Sequence, residues 1–353
     1  MKVTKYLPIL AVCLMTTGCN SKKEAVLTSG IDLANLDTTA MPGTSFYQYA
    51  CGGWVKDHPL TDEYSRFGTF DMLRENSREQ LKALIAELAA KKDNAPGSAA
   101  QKVGDLYNIA MDSVKLNQEG VAPIKAELAA IDALKDKGEI YAYIAESQKK
   151  GIRPYFTMFV SADDMNSSMN IVQLYQAGLG MGDRDYYLLE DESSQKMREA
   201  YKNYITRLFT LIGSSPEQAD AAVDAVMKIE KGIAEVSFSR EDLRDSQKNY
   251  NKMSIEDFKA KNDLLNWDVY FESMGMMDIK YLDAKQLPFY EGLSALMKNT
   301  TLDEQKYYLT FNLLSSAAPY LSDPFVAADF DFYGKTMSGR QEQQPRWKRA
   351  LST

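Results

Sequence analysis

The chain has 353 residues, with 41 lysines and arginines against 49 aspartates and glutamates, so its formal net charge at pH 7 is −8. An acidic chain of this kind repels nucleic acid and anionic lipid, and neither is expected as a partner. A hydrophobic fraction of 45% indicates a folded protein. The single histidine, His58, excludes a hydrolytic zinc site built from two or three imidazoles within this sequence.

The N-terminus has the pattern of an export signal. Lys2 and Lys5 precede an apolar run over residues 7–15, which is too short to span a bilayer. The Gly18-Cys19 pair that follows resembles the cleavage box of bacterial lipoproteins, whose cysteine becomes the first mature residue and carries the lipid. An ordinary secretory signal cut nearby is the alternative.

From the lipoprotein resemblance we expect a signal peptide over residues 1–18, lipidation at Cys19 and a flexible tether over residues 19–42. The expected location is the bacterial cell envelope, facing the periplasm or the outside, with the lipid as the only membrane contact. Cys51 would then be the only other mature cysteine, so no internal disulfide is expected.

Residues 46–54 combine four aromatic side chains with two glycines. Glycines let a neighbouring backbone approach closely, and aromatic side chains favour burial. We interpret this segment as a buried packing element rather than a ligand site. His58 follows between Asp57 and Pro59, where the sequence predicts an exposed loop, and we interpret it as inert rather than catalytic.

Arg74 lies in the sequence F-D-M-L-R at residues 70–74, just before the first predicted long helix. A guanidinium binds a carboxylate through two parallel hydrogen bonds, so Arg74 is the best candidate for carboxylate recognition. A surface salt bridge is the alternative interpretation.

The rest of the chain is predicted to be mainly helical. Leu81, Leu84, Ile85 and Leu88 form one apolar stripe of an amphipathic helix, and capping boxes such as that at Ser215 indicate helix starts. The predicted helices cover residues 77–92, 98–115, 120–135, 138–150, 194–213, 216–239, 254–274, 286–298, 302–320 and 323–336. Residues 153–161 and 168–176 instead predict a small antiparallel β-hairpin that turns at residues 163–166.

The glycine-rich sequence at residues 178–182 follows the predicted hairpin. It lacks the G-x-G-x-x-G spacing and the lysine of nucleotide sites, so we interpret it as a turn. In residues 183–187, two carboxylates beside Arg184 predict a charge network that pins the loop. A D-x-D metal site is the alternative, but a hard cation needs several more oxygen ligands. The acidic residues 190–192 are typical of a helix N-terminus.

Residues 345–351 have the pattern of the first two turns of a helix. A helix of this length is not stable alone in water, and no C-cap follows it. We therefore expect the chain to stop inside an element.

Six segments in order along the chain resemble the neprilysin family of zinc metalloendopeptidases. They are residues 46–54 (F-Y-x-Y-x-x-G-G-W), 67–74 (Y-G-x-F-D-x-L-R), 159–167 (F-V-x-x-D-D-x-N-S), 178–188 (G-L-G-L-x-D-R-D-Y-Y-L), 250–254 (Y-N-x-M-S) and 346–349, the tryptophan-basic segment of the family.

The resemblance covers the front half of that family only, as residues 43–353. It implies a multi-helix lobe that caps an internal cavity and limits substrates to peptides, with Arg74 contacting the C-terminal side of the substrate. It also implies that zinc is held by a following half, whose H-E-x-x-H and other ligand motifs do not occur in this sequence. No catalytic and no metal-binding residue is therefore expected here. Cys51 matches a cysteine that extracellular animal members use in a disulfide.

Two hypotheses follow for the function. The first is the N-terminal lobe of a lipid-anchored neprilysin-like peptidase, separated from its catalytic half by a truncated, split or frameshifted reading frame and inactive alone. It predicts a large exposed apolar face where the missing half would dock. The alternative is a stand-alone peptide-binding or scaffold lipoprotein without catalysis. A metal-independent enzyme has no motif to support it.

Overall fold

The computed structural model describes residues 30–262 and 265–352. The predicted signal peptide, Cys19 and the first part of the predicted tether lie outside the described residues. Internal contacts divide the chain into two compact units, residues 1–59 and 60–353.

In the first unit, a 3-10 turn at Leu33–Asn35 packs against helix α1 at Phe46–Asp57. Two glycines of α1 permit this close approach. A Cβ on Gly53 would lie 2.2 Å from the Ala34 carbonyl oxygen, and one on Gly52 would lie 2.6 Å from Cβ of Asp37. The described end of the predicted tether therefore lies against α1.

The prediction that the aromatic residues of this segment are buried is wrong for two of them. Phe46 and Tyr47 are 68% and 69% exposed. They occupy the first turn of α1, directly after the N-cap Ser45, whose hydroxyl accepts a hydrogen bond from Gln48. The glycines make the packing contact, which leaves these two aromatic rings outside it.

The second unit is mainly helical, as predicted. Its longest helices are α2, α8 and α9, and a π-helix at Phe330–Met337 continues directly from α14. The helices are α2 (Thr69–Ala90), α3 (Ala99–Met111), α4 (Ser113–Glu119), α5 (Lys125–Asp132), α6 (Lys137–Lys149), α7 (Asp185–Leu188), α8 (Glu192–Leu211), α9 (Pro216–Val236), α10 (Ile255–Lys261), α11 (Trp267–Ser273), α12 (Leu287–Asn299), α13 (Leu302–Ala317), α14 (Asp323–Asp329) and α15 (Arg346–Ala350). Over the described ranges, no helix combines the length and the apolar character that crossing a bilayer requires.

The predicted hairpin is confirmed as β1 (Phe156–Asp163) and β2 (Asn166–Gln176), which pair antiparallel. Two further strands extend it to a sheet of order β1-β2-β4-β3, with β3 at Lys252–Ser254 and β4 at Tyr281–Ala284. β4 pairs parallel to β2 and antiparallel to β3. The sequence did not predict β3 or β4, because runs of three and four residues carry no periodic signal of their own.

Two apolar clusters form the core of the second unit. One lies between the sheet and helices α6, α11, α12 and α13, and is rich in aromatic residues such as Phe156, Trp267 and Tyr290. The other lies between α8, α9, α13, α14 and the π-helix. These clusters bury one face of each helix that contributes to them, and α2 belongs to neither.

Three predicted helices differ from the observed ones at positions with a local cause. The helix predicted over 98–115 is broken at Asp112, whose carboxylate accepts the Lys115 N–H and begins α4. The helix predicted over 254–274 becomes α10 and α11, because Asn266 caps the start of the second one. α2 begins at Thr69 rather than residue 77, since the Asp71 carboxylate accepts the Gly68 N–H and stabilises an earlier first turn.

Candidate functional site

The start of α2 carries the predicted substrate-binding residue. Arg74 projects from the second turn, and its guanidinium contacts the Asp71 carboxylate one turn earlier. The Arg74 side chain is 53% exposed, whereas that of Asp71 is 15% exposed. Arg74 is therefore held by a local ion pair, as the alternative interpretation predicted, while part of its guanidinium remains accessible to a carboxylate from solution.

A second guanidinium lies shortly before α2. Arg66 is exposed, and among the described residues it has no hydrogen-bond or salt-bridge partner. Phe70, four residues beyond it on the first turn of α2, is 87% exposed. The segment from Arg66 to Arg74 thus presents two guanidinium cations and one aromatic ring to solvent. Such a surface suits a terminal carboxylate that lies next to an apolar side chain.

α2 also carries an exposed apolar stripe. Phe70, Leu73, Leu81 and Leu84 lie on one side of the helix and are between 46% and 87% exposed. No residue of this 22-residue helix is buried. Four large apolar side chains exposed on one side of a helix indicate an interaction surface. On α3, Leu106 and Ile109 are also more than half exposed.

The opposite side of α2 contacts the C-terminal segment. Lys348 forms salt bridges with Glu63 at 2.7 Å and with Glu75 at 2.8 Å, and the Lys82 ammonium lies 4.0 Å from the centroid of the Trp347 ring. Burial alone would raise the pKa of the Glu75 carboxyl, but hydrogen bonds from Lys348 and Arg78 outweigh it and lower the pKa to about 2. The short α15 is therefore held by ion pairs and a cation–π contact with α2.

The glycine-rich loop at residues 178–182 is a packed turn, as predicted, and it surrounds a buried carboxyl. Tyr187 donates a hydrogen bond to Glu230 at 2.6 Å, and Tyr201 donates another at 2.9 Å. The Gly180 N–H approaches the same carboxyl at 3.3 Å. A Cβ on Gly180 would lie 1.8 Å from the Tyr201 hydroxyl oxygen, so only glycine fits there.

Glu230 was missed by the sequence analysis. It is 1% exposed, and burial raises its pKa to about 8 against the opposing hydrogen bonds of Tyr187 and Tyr201. The signal for it was its position on α9, one residue after Ile229 and three before Ile233, on the apolar face of the helix. Its partners are all internal, so its role is to fix the loop rather than to bind a ligand.

Residues 183–187 after this loop form a charge network, as predicted, but their partners lie outside that segment. Asp183 pairs with Arg240, and Arg184 donates to the Ser237 carbonyl oxygen just after α9. The loop is therefore pinned to the end of α9. Across the described ranges, no three or more histidine, cysteine, aspartate or glutamate side chains are grouped so that they could hold a metal ion.

The paired aspartates of the hairpin turn are likewise neutralised by lysines. Lys252 donates to Asp163 at 2.7 Å and Tyr250 donates to it at 2.9 Å, and these bonds lower the pKa of the Asp163 carboxyl to about 2. Lys285 forms salt bridges with Asp164 and with the buried Asp283. These contacts tie the hairpin turn to β3 and β4.

His58 lies at the C-terminal end of α1. Its Nδ1 is 2.9 Å from the Trp54 carbonyl oxygen, and its ring stacks on the Trp54 indole with centroids 4.4 Å apart. It is half-buried rather than fully exposed as predicted. With one histidine used in this way, the residues present do not fit a catalytic zinc site.

Comparisons with known proteins place these features in a family context. A family model described as Peptidase family M13 matches residues 42–353. Human endothelin-converting enzyme 1 is 27% identical over 346 residues, which cover 95% of this chain and 44% of that protein. Neprilysin-11 of Caenorhabditis elegans is 25% identical over 337 residues, which cover 89% of this chain and 39% of that protein.

A solved structure of similar fold is that of the Mycobacterium tuberculosis zinc metalloprotease Zmp1 in complex with an inhibitor. It has a TM-score of 0.86 and 27% sequence identity, and the match covers 92% of this chain and 50% of that one. The chain thus spans about half the length of the relatives it matches.

Proposed function

Because this chain belongs to peptidase family M13, we propose that it forms the lobe that admits and positions oligopeptide substrates for a zinc metalloendopeptidase. In this proposal its partners are peptides and a catalytic half that is supplied from outside these 353 residues. The chain by itself hydrolyses no peptide, because zinc and its ligands belong to that other half.

The observation that carries the proposal is the exposed apolar stripe of α2 beside the Arg66–Arg74 segment. A helix of 22 residues without one buried side chain gains little from apolar burial, whereas docking of a second lobe would cover the stripe. Docking there would also place the guanidiniums of Arg66 and Arg74 at the edge of the internal cavity that the neprilysin resemblance implies. The match to half of an inhibitor-bound zinc metalloprotease supports this arrangement.

Within this lobe we assign Arg74 to the C-terminal carboxylate of the peptide. Its exposed guanidinium supports that role, while its ion pair with Asp71 competes with it. Arg66 is the competing candidate, since it is exposed and has no salt-bridge partner among the described residues.

The experiment is a titration of the purified chain with a fluorescent peptide ending in a free carboxylate and with the same peptide ending in an amide. We expect the acid to bind at least tenfold more tightly, about 1.4 kcal/mol, and Arg74→Ala to remove the difference. Arg207→Ala is the matched control, because that guanidinium lies on α8 and pairs with Asp331.

If Arg66→Ala removes the difference and Arg74→Ala does not, the carboxylate role belongs to Arg66 and our assignment is wrong. Equal affinity of acid and amide would contradict a carboxylate site on either residue.

The catalytic part of the proposal is tested separately. We dialyse the purified chain against a zinc-containing buffer and then against a zinc-free buffer. We expect it to retain no zinc and to leave a fluorescence-quenched peptide substrate uncut. One equivalent of retained zinc together with turnover would overturn the proposal. A reading frame beyond the codon for Thr353 that encodes H-E-x-x-H would identify the other half.

The alternative function is a stand-alone peptide-binding or scaffold protein. The two well-packed clusters of the second unit favour it, since they do not depend on a second lobe. It predicts a monomer that melts cooperatively and retains peptides. An isolated chain that associates through α2 would favour the two-lobe proposal instead.

We also propose that the chain is a lipoprotein of the bacterial cell envelope, with Cys19 as the lipidated residue. The apolar run at residues 7–15 and the following Gly18-Cys19 pair support this. Metabolic labelling with a fatty acid should label the wild-type chain and not Cys19→Ala. Labelling of both, or of neither, would reject it.

A further inference from the structure

A cavity of about 410 Å³ opens between α3, α14, the π-helix and the C-terminal segment. This volume lies within the usual range for small-ligand sites. One wall is apolar and includes Leu106, Ile109, Val326 and Phe330. Leu106 and Ile109 are more than half exposed, so this wall is accessible.

Charged side chains line the remaining walls of the cavity. They are Asp329 and three arginines, Arg340, Arg346 and Arg349. Arg346 is compensated by a salt bridge to Asp323 at 2.6 Å, with Asp323 outside the cavity. Arg340 and Arg349 both attract the carboxyl of Asp329, and burial raises its pKa to about 6 against that attraction.

The structure fixes Arg340 in this position. The backbone N–H of Arg340 donates to the Gly334 carbonyl oxygen at 3.0 Å, and its guanidinium lies 5.6 Å from the centroid of the Phe330 ring. A Cβ on Gly334 would lie 2.3 Å from that ring and 3.1 Å from the guanidinium, so glycine makes the room for both. Among the described residues the Arg340 guanidinium forms no hydrogen bond and no salt bridge. It is a preorganised cation beside an apolar wall.

We propose that this cavity binds a carboxylate attached to an apolar group, with Arg340 and Arg349 contacting the carboxylate and the α3 wall contacting the apolar part. The carboxylate supplies the ionic partner that the Arg340 guanidinium lacks among the described residues. The ligand is a free medium-chain fatty acid or the C-terminal residue of a peptide with an apolar side chain, since both present the same chemistry. The site is separate from the Arg66–Arg74 segment and does not depend on the proposed peptidase role.

The test is calorimetric titration of the full chain with decanoate, with decanol, and with an acetylated tripeptide ending in phenylalanine as acid and as amide. We expect decanoate or the peptide acid to bind and its uncharged counterpart to bind at least tenfold more weakly. Arg340→Gln should weaken binding of the carboxylate at least tenfold. Leu106→Ser should weaken it about fivefold, because it removes apolar contact at an exposed position that contributes little to folding.

The controls separate this site from others. Arg207→Gln should leave binding unchanged, because that guanidinium pairs with Asp331, and circular dichroism checks that each variant is folded. Binding of decanoate alone identifies a fatty acid as the ligand class, and binding of the peptide acid alone identifies a peptide terminus. The proposal is overturned if no acid binds below about 1 mM, if decanol binds as well as decanoate, or if Arg340→Gln has no effect.

Discussion

Glu230 shows how a single buried carboxyl organises the neighbouring loop. Two tyrosine hydroxyls and the Gly180 N–H converge on it, and its environment is apolar otherwise. Its raised pKa means that the folded protein holds this proton to a higher pH than the unfolded chain does.

This difference predicts a pH dependence of stability. The pKa of Glu230 is about 8 in the folded protein, against the ordinary glutamate value of 4.5. The contribution of Glu230 to the free energy of unfolding is therefore most favourable below about pH 4.5. It is lost as the pH rises toward 8, and the free energy of unfolding falls by up to about 1.4 kcal/mol per pH unit. Urea unfolding at pH 5, 6.5 and 8 should show this decline in the wild type, and Glu230→Gln should flatten it.

Glu256→Gln is the control for this measurement, because Glu256 is exposed on α10. That variant should keep the slope of the wild type. A slope that is unchanged in Glu230→Gln would show that the buried carboxyl does not titrate as described.

At the scale of elements, polar contacts join α2 to the C-terminal segment. Lys348 bridges Glu63 and Glu75, and this network holds α15 against α2. The Lys348 side chain is 12% exposed and that of Glu75 is 20% exposed, so the pair is shielded from water better than an ordinary surface salt bridge.

The network predicts that acid detaches α15. The pKa of Glu75 is lowered to about 2 in the folded protein. The stabilisation that ionised Glu75 gives to the contact with α15 is therefore fully present above about pH 4.5 and is lost as the pH falls through 2. We expect the fluorescence of Trp347, taken as the difference between the wild type and Trp347→Phe, to change over this range. Glu75→Gln should weaken the contact by about 1–2 kcal/mol already at pH 7.

Glu87→Gln provides the comparison on the same helix, since Glu87 is 63% exposed and pairs with Lys91 at 2.8 Å. It should leave the Trp347 signal unchanged. A Trp347 signal that does not vary between pH 5 and pH 2 would contradict the role of Glu75.

The same elements show which parts of the fold the sequence predicts. Helix α9 begins at the predicted capping residue Ser215, and α13 begins in the same way at Thr301, because each side chain satisfies a free N–H group locally. The hairpin is predicted because its strands are neighbours along the chain. The short β3 and β4 strands owe their conformation to distant partners, which local patterns do not reveal.

For the candidate site, the sequence indicated Arg74 and a surface salt bridge as its alternative role, but it did not indicate Asp71 as the partner or the free guanidinium of Arg66. It also placed Phe46 and Tyr47 in the interior, because composition alone does not say which face of a helix is covered. The cavity beside Arg340 depends on Gly334 and on residues brought together from several elements, so no single motif marks it.

At the scale of the whole molecule, the second unit has a packed interior, and α2, one of its described helices, leaves an apolar stripe uncovered. Covering the α2 stripe is the physical basis on which we propose a second lobe. The stripe should therefore control association of the isolated chain without controlling its folding.

We predict that Leu73→Ser combined with Leu84→Ser lowers binding of an apolar dye and reduces self-association. Both side chains are more than half exposed, so the free energy of unfolding should change by less than about 1 kcal/mol. Dye fluorescence, sedimentation and urea unfolding measure the three quantities.

Leu208→Ser is the buried counterpart, because Leu208 is 0% exposed in the core cluster around α8. This variant should lower the free energy of unfolding by about 3 kcal/mol and increase dye binding. If the exposed double variant destabilised the protein as much as this one, α2 would be part of the core and the docking surface would lie elsewhere.

The parallel pairing of β2 with β4 also has a consequence for biosynthesis. Val172 pairs with Leu282, so the sheet closes only after most of the second unit has been translated. Until then the β1–β2 hairpin is present with the edge of β2 unpaired, and Val172 and Leu174 on it are apolar. Such an edge is a template for wrong pairing, and loop closure over this distance is slow. We therefore expect the nascent chain to need protection of β2 between the emergence of the hairpin and the emergence of β4.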